Sequence, residues 1–146
     1  MNRGSKSPCL AVLFAALADA TRLRLLNLMA GREVCVCHFV EILDQGQPKI
    51  SRHLAYLRKA GIATARREGK WMHYSICAPA DPSAASILAA VLAAFANDRQ
   101  MKTDLIKLDR SKPELTKLDR AGAVRACLPV RLKGKSSVCC GKAESA

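Results

Sequence analysis

The sequence predicts a mainly α-helical domain that carries one β-hairpin and ends in a weakly ordered C-terminal tail. Three observations support this. Aromatic residues are scarce at 4% while Ala and Leu abound, which favours helix over sheet. Several stretches repeat apolar residues at i, i+3 or i+4, and i+7. One segment, Ile62 to Ile76, changes texture to alternation around Glu68-Gly69. At 146 residues the chain suits one domain and a tail, and a body of about 100 residues buries a core without disulfide or metal staples. We place the body at residues 8–99 and a basic, cysteine-bearing tail at 100–146.

In chain order, Leu10, Leu13, Phe14 and Leu17 mark a first short helix. Asp19 is positioned to cap a second, with Leu23, Leu26, Met29 and Ala30 as its core stripe and Gly31 as its stop. A third short helix covers roughly Cys37 to Leu43, and Gln45, Gly46 and Gln47 form a turn. Pro48 then opens a fourth helix whose Ile50, Leu54 and Leu57 form one apolar stripe, ended by Gly61. Two helices joined by a tight Gly-bearing turn are a helix-turn-helix, with the second helix as reader. Behind it, Met72, Tyr74 and Ile76 alternate with Trp71, His73 and Ser75. Asp81-Pro82 opens a last helix, apolar almost all round, which with the first helix is assigned to a dimer interface; packing within a monomer is the alternative. The predicted architecture is therefore a dimeric winged helix-turn-helix. Beyond Met101 the motif KLDR occurs twice, too few times for a repeat architecture.

Charge is concentrated in one place. The chain carries a net +12; residues 1–100 hold 13 Lys or Arg against 7 Asp or Glu, and residues 48–70 alone hold 7 against 1. A basic excess confined to a helix and a hairpin tip points to double-stranded DNA, the alternative being a solvated face that only aids solubility. On the reader helix Lys49, Arg52, His53 and Tyr56 share the face opposite the apolar stripe. Arg66, Arg67 and Lys70 crowd the hairpin tip, where cations fix register through phosphates.

Seven cysteines, an odd number in a helix-rich chain, argue for reduced thiols in a cytoplasm and against a secreted disulfide framework. The run from Cys9 to Ala18 behind Arg3 and Lys6 imitates a signal peptide, but the pattern continues into Arg22 and Arg24. No apolar run approaches the length of a membrane span, so no membrane partner is expected. Cys35 and Cys37 stand a dozen residues before the reader helix, and soft thiolates select thiophilic ions.

The element order, together with ADATRLRLLNLMAG, EVCVCHF, QPKISRHLAYLRKAGI and REGKWMHYSI, resembles the ArsR/SmtB family of winged helix-turn-helix repressors, and most closely its arsenic-responsive members. The resemblance covers roughly Leu10 to Phe95. It implies a homodimer that holds an operator closed and leaves it when a metal or metalloid binds. By that resemblance Gln47, Lys49, Ser51 and Arg52, with His53 less certain, occupy the reader positions, and Cys35 and Cys37 are ligands for As(III) or Sb(III), with Cd, Pb or Zn, or oxidation of the thiols, as the alternative signal and no organic cofactor. Side-chain chemistry agrees: Arg and Lys donate to guanine, Gln pairs with adenine, and Ser takes a base or a phosphate.

This chain departs from the arsenic-responsive pattern at Val40, where a further thiol is expected. Trivalent arsenic prefers three thiolates, so Cys9, or Cys139 and Cys140 with Cys127, become candidates for the missing ligand. His38 is set aside as better suited to zinc, and Cys77 is read as packing. The family's zinc site on the last helix needs His and carboxylates, which Ser83 to Phe95 lacks. Two residues apart on a regular helix point about 200° away from each other, so ligation is expected to unwind or prevent the first turn of the third helix. A competing class, a thiol enzyme or metalloid carrier, lacks a general base assignable to either cysteine.

Overall fold

The computed structural model describes residues 6–111, with side chains from residue 10 onward. Helix α1 (Lys6–Leu17) leads into α2 (Ala20–Met29), a two-residue strand β1 (Val34–Cys35), and the pair α3 (Val36–Leu43) and α4 (Gln47–Lys59). Strands β2 (Ala63–Glu68) and β3 (Trp71–Ile76) form the hairpin. Helix α5 (Pro82–Ala94), a single 3-10 turn (Phe95–Asn97) and α6 (Arg99–Ser111) complete the described chain. This is the winged helix-turn-helix architecture expected from the sequence.

Local chemistry sets the boundaries. The Asp19 carboxylate accepts from the Arg22 backbone N–H at 2.9 Å and caps α2. Burial acts to raise the pKa of this carboxyl, but the capping hydrogen bond and the nearby His53 and Arg22 outweigh it and hold the pKa below the ordinary range. Helix α3 stops at Asp44, which adopts the left-handed conformation at φ 51°. Gly46 caps α4, with Pro48 in its first turn, and Gly61 at φ 76° lets the chain leave α4 for β2. In the hairpin Glu68 faces Trp71, leaving Gly69 and Lys70 as a two-residue loop. Gly69, at φ 58°, provides the positive φ that such a loop needs at its first position.

The core gathers the stripes read from the sequence. Ile50, Leu54 and Leu57 of α4 are fully buried with Leu25, Leu26, Leu28 and Met29 of α2 and Phe39 of α3. At about 1.5–3 kcal/mol for each fully buried aliphatic side chain, this stripe alone fixes which face of α4 turns outward. Phe39 meets Tyr74 of β3 edge to face at 6.4 Å between centroids, tying α3 to the hairpin. Along β3 the alternation holds, with Tyr74 and Ile76 buried and Trp71 exposed.

Two features depart from the sequence reading. First, the sheet has three strands in the order β1-β3-β2, because Val34 and Cys35 pair with Tyr74 and His73. Second, the ordered body does not end at residue 99. Met101, Leu105 and Leu108 form an apolar stripe at i, i+4 and i+7, and α6 lays it across α2 and α3, burying Met101 and Leu108. Asp104, wholly buried, is held by Arg24 at 2.7 and 2.9 Å in a two-pronged pair and by Gln100 at 2.9 Å, while Asn27 donates to the Met101 carbonyl at 2.9 Å. Residues 112–146, with Cys127, Cys139 and Cys140, lie outside the described residues.

The Arg24–Asp104 pair makes the docking of α6 testable. Arg24→Met strands a buried carboxylate and is expected to lower stability by about 3–5 kcal/mol in urea denaturation, whereas Arg24→Met with Asp104→Leu restores most of it. If the single variant unfolds at the wild-type urea midpoint, α6 is not part of the cooperative body.

Candidate functional site

The reader face of α4 is built by what lies beneath it. With Ile50, Leu54 and Leu57 turned inward, Gln47, Lys49 and Arg52 are exposed and Ser51 is half-buried beside them. His53 is also half-buried, and its Nδ1 lies 3.7 Å from the Asp19 carboxylate, so it faces the cap of α2. Tyr56 is covered on one side by the Arg22 guanidinium, 4.2 Å from the ring centroid. Arg22 in turn donates to the carbonyls of Ala16 and Ala15 at 2.7 and 2.8 Å, fastening the end of α1 to α2 and α4. Gln47, Lys49, Ser51 and Arg52 thus form the outward patch, and His53 and Tyr56 brace its far end.

The hairpin cations are not equivalent. Arg66 forks onto the Glu33 carboxylate and also donates to Glu68 at 3.1 Å. These bonds, that to Glu33 foremost, raise its pKa and keep the guanidinium firmly charged and engaged. His73 completes the group, 3.4 Å from Glu68 and 3.9 Å from Glu33. Arg67 donates to the Gly69 carbonyl at 3.0 Å, and Lys70 lies over the exposed Trp71 ring at 5.3 Å. Arg67 and Lys70 form no ion pair among the described residues, so the open positive charge of the wing sits at its tip. Glu33 was missed in the sequence reading because its pairing with Arg66 spans 33 residues, and Glu68, two residues from Arg66, was read only as part of the hairpin turn.

The thiol pair lies where strand gives way to helix. Cys35 is the last residue of β1 and the N-cap of α3, extended at φ −71° and ψ 145°, and Cys37 is in the first turn. The expected conflict between two thiols on one regular helix therefore does not arise. The helix begins after Cys35, and the two Sγ atoms meet at 3.1 Å without any unwinding. Cys35 is 3% exposed, whereas Cys37 opens to solvent. His38 is buried with its Nδ1 3.3 Å from the Cys37 sulfur, and one donor atom from each of the three residues falls within 4.8 Å of the others. Two thiolates and an imidazole fit a thiophilic metal.

Other candidate ligands fare differently. Val40 packs against the core. Cys77 is buried, as expected of a packing residue, but it is engaged in a disulfide, whereas Cys35 and Cys37 are not. The Cys9 side chain and Cys139 and Cys140 lie outside the described residues. Among the described residues no helix is long and apolar enough to cross a membrane.

Comparison with known proteins bears on this arrangement. The model of the bacterial regulatory protein arsR family matches residues 19–65, from the cap of α2 into β2. The arsenical resistance operon repressor of Escherichia coli (strain K12) is 52% identical over 65 residues, covering 44% of this chain and 56% of that protein, so the chain spans about half the length of this relative. An uncharacterized HTH-type transcriptional regulator of Methanocaldococcus jannaschii is 48% identical over 67 residues, covering 45% of this chain and 75% of its own length. Among solved structures, HlyU from Vibrio cholerae N16961 superposes with a TM-score of 0.55 at 24% identity over 66% of this chain and 100% of its own, a likeness of fold. A relative 48% identical over three quarters of its length, with a family model spanning the reader helix, leads to one conclusion: this chain belongs to the arsR family of bacterial regulatory proteins.

Proposed function

We propose that the protein is a cytoplasmic, homodimeric transcriptional repressor. It holds operator double-stranded DNA through α4 and the wing and leaves it when As(III) or Sb(III) is taken up by the Cys35 and Cys37 thiolates. The observation that carries this reading is the position of the thiol pair, with two sulfurs 3.1 Å apart at the N-terminus of the helix that supports the reader. The resistance named for the Escherichia coli relative agrees with the effector class.

Side-chain chemistry divides the DNA contacts. Gln47, Lys49, Ser51 and Arg52 reach base edges, and Arg67 and Lys70 hold phosphates. Arg66, already shared between Glu33 and Glu68, keeps the wing in register with β1. Two links join sensor to reader: α3 packs directly on α4, and β1, which ends at Cys35, pairs with β3 of the wing. An ion at the junction therefore acts on both DNA-contacting elements, and the affinities for ion and operator are coupled reciprocally.

The second copy docks on α1 and α5, which pack side by side. Phe14 is 55% exposed, and Ala89, Ala90, Ala93 and Ala94 line an open face of α5. A dimer built there presents two reader helices to half-sites about one helical turn apart.

Three outcomes test this reading. In mobility-shift titrations arsenite is expected to release the wild type from its operator, and Cys35→Ser and Cys37→Ser to keep DNA binding but lose release; unchanged release in both variants moves the sensor elsewhere. Operator affinity should fall steeply with salt, with Arg67→Ala and Lys70→Ala each lowering the log–log slope by about 1 and Arg66→Ala changing it far less. Equal slope changes for all three would refute the division of labour within the wing. Ala90→Glu is expected to sediment as a monomer, and a persistent dimer would place the interface on another face.

A further inference from the structure

We infer that Arg22 and Tyr56 set the separation of the two reader helices in the dimer, and with it the half-site spacing that the protein accepts in its operator. Arg22 is the positioning residue: it joins the end of α1, part of the interface between copies, to the flank of the reader helix α4. The inference rests on the reading of α1 and α5 as the dimer face and of α4 as the reader.

One guanidinium serves both neighbours. Its Nε donates to the Ala16 carbonyl at 2.7 Å and one of its terminal nitrogens to the Ala15 carbonyl at 2.8 Å. These residues stand in the last turn of α1, where carbonyls lack the usual donor inside the helix and the dipole favours a cation. That turn has no basic residue of its own, so Arg22 provides the charge from α2. The same group lies over the Tyr56 ring of α4, 4.2 Å from its centroid. Three residues earlier on α4, His53 brings its Nδ1 to 3.7 Å from the Asp19 carboxylate, so the flank of α4 is held against the corner between α1 and α2.

The core alone does not set the angle of α4. Its single buried line of Ile50, Leu54 and Leu57 fixes the face turned inward more tightly than the crossing angle, which scatters by about 15–20° among packed helices. Gln47, at the start of the reader patch, lies about 14 Å along the helix from Tyr56, so a swing of about 15° about Tyr56 displaces it by about 3.5 Å. That is roughly one base pair, since a turn of about 34–36 Å holds about 10–10.5 of them. To swing in this way α4 must pull Tyr56 off Arg22, because Arg22 is fastened to α1 by its two carbonyl bonds.

The test uses the full-length protein and a palindromic duplex that the wild type selects from a random pool, remade with one base pair inserted or removed at its centre. The wild type is expected to bind the altered duplexes at least about tenfold more weakly, since either the DNA must twist or α4 must swing. Tyr56→Leu keeps an apolar side chain but no ring, and its spacing penalty is expected to shrink by about two- to fivefold, the factor that matches an exposed cation–π contact. Arg22→Met should shrink the penalty equally, and the two substitutions together by no more than either alone, because both remove one contact. Tyr56→Phe keeps the ring and should keep the full penalty.

Weaker binding of all three duplexes by one common factor, with the wild-type penalty intact, overturns the proposal, because loss of stability alone produces that pattern. If Arg22→Met does not fold, Tyr56→Leu, at a position 42% exposed, decides by the same criterion. Failure of the underlying reading looks different: Ala90→Glu would still sediment as a dimer, or the wild type would select no palindrome.

Discussion

The backbone at Cys35 is extended because a strand ends there and a helix starts at the next residue, and the rest of the molecule's logic depends on that break. Were α3 one turn longer at its N-terminus, the two sulfurs would point to opposite sides of a helix and share nothing. Because the helix starts late, Cys35 hangs from the sheet, Cys37 rides on the helix, and their sulfurs meet across the junction. A ligand bridging them spans two secondary-structure elements, which makes it able to shift one against the other.

What those elements move is set by packing. Phe39 of α3 rests on Tyr74 of β3, and the α4 stripe rests on α2 and α3, so junction, reader and wing share one apolar core. Interiors at crystal-like density transmit displacement because they have no slack to absorb it. Helix α6 adds a brace on the far side, where Arg24 and Asp104 form a charged pair inside an otherwise apolar contact. Such a pair is weak evidence for stability, yet it admits few alternative seatings of α6 on α2.

Much of this was legible in the sequence, and what was missed shares a cause. The buried stripe of Ile50, Leu54 and Leu57, the stop at Gly61 and the alternation through Tyr74 and Ile76 are periodic signals, and each stands in the structure as read. Strand β1 has only two residues, too few to alternate, and it exists because β3 offers it a partner. Helix α6 carried a readable stripe at Met101, Leu105 and Leu108, but repeated KLDR and high charge gave it the texture of a tail. The pairing of Arg66 with Glu33 is a tertiary fact with no local pattern, so residue type alone placed Arg66 among the phosphate contacts; the turn of His38 toward its neighbour Cys37 depends on a rotamer that residue type does not set, and His38 was set aside as better suited to zinc.

The strand order has one more consequence. With β3 in the centre, β1 and β2 are both sheet edges, and an open edge is a template on which another chain can pair and aggregate. One edge is protected by brevity, since β1 ends after two residues in a helix. The other carries Arg66, Arg67 and Glu68 along its outer half, and charged side chains of this kind discourage a foreign strand from joining. The wing's charges therefore also help to keep the molecule dispersed, and replacing them to retune DNA contacts removes a safeguard against self-association.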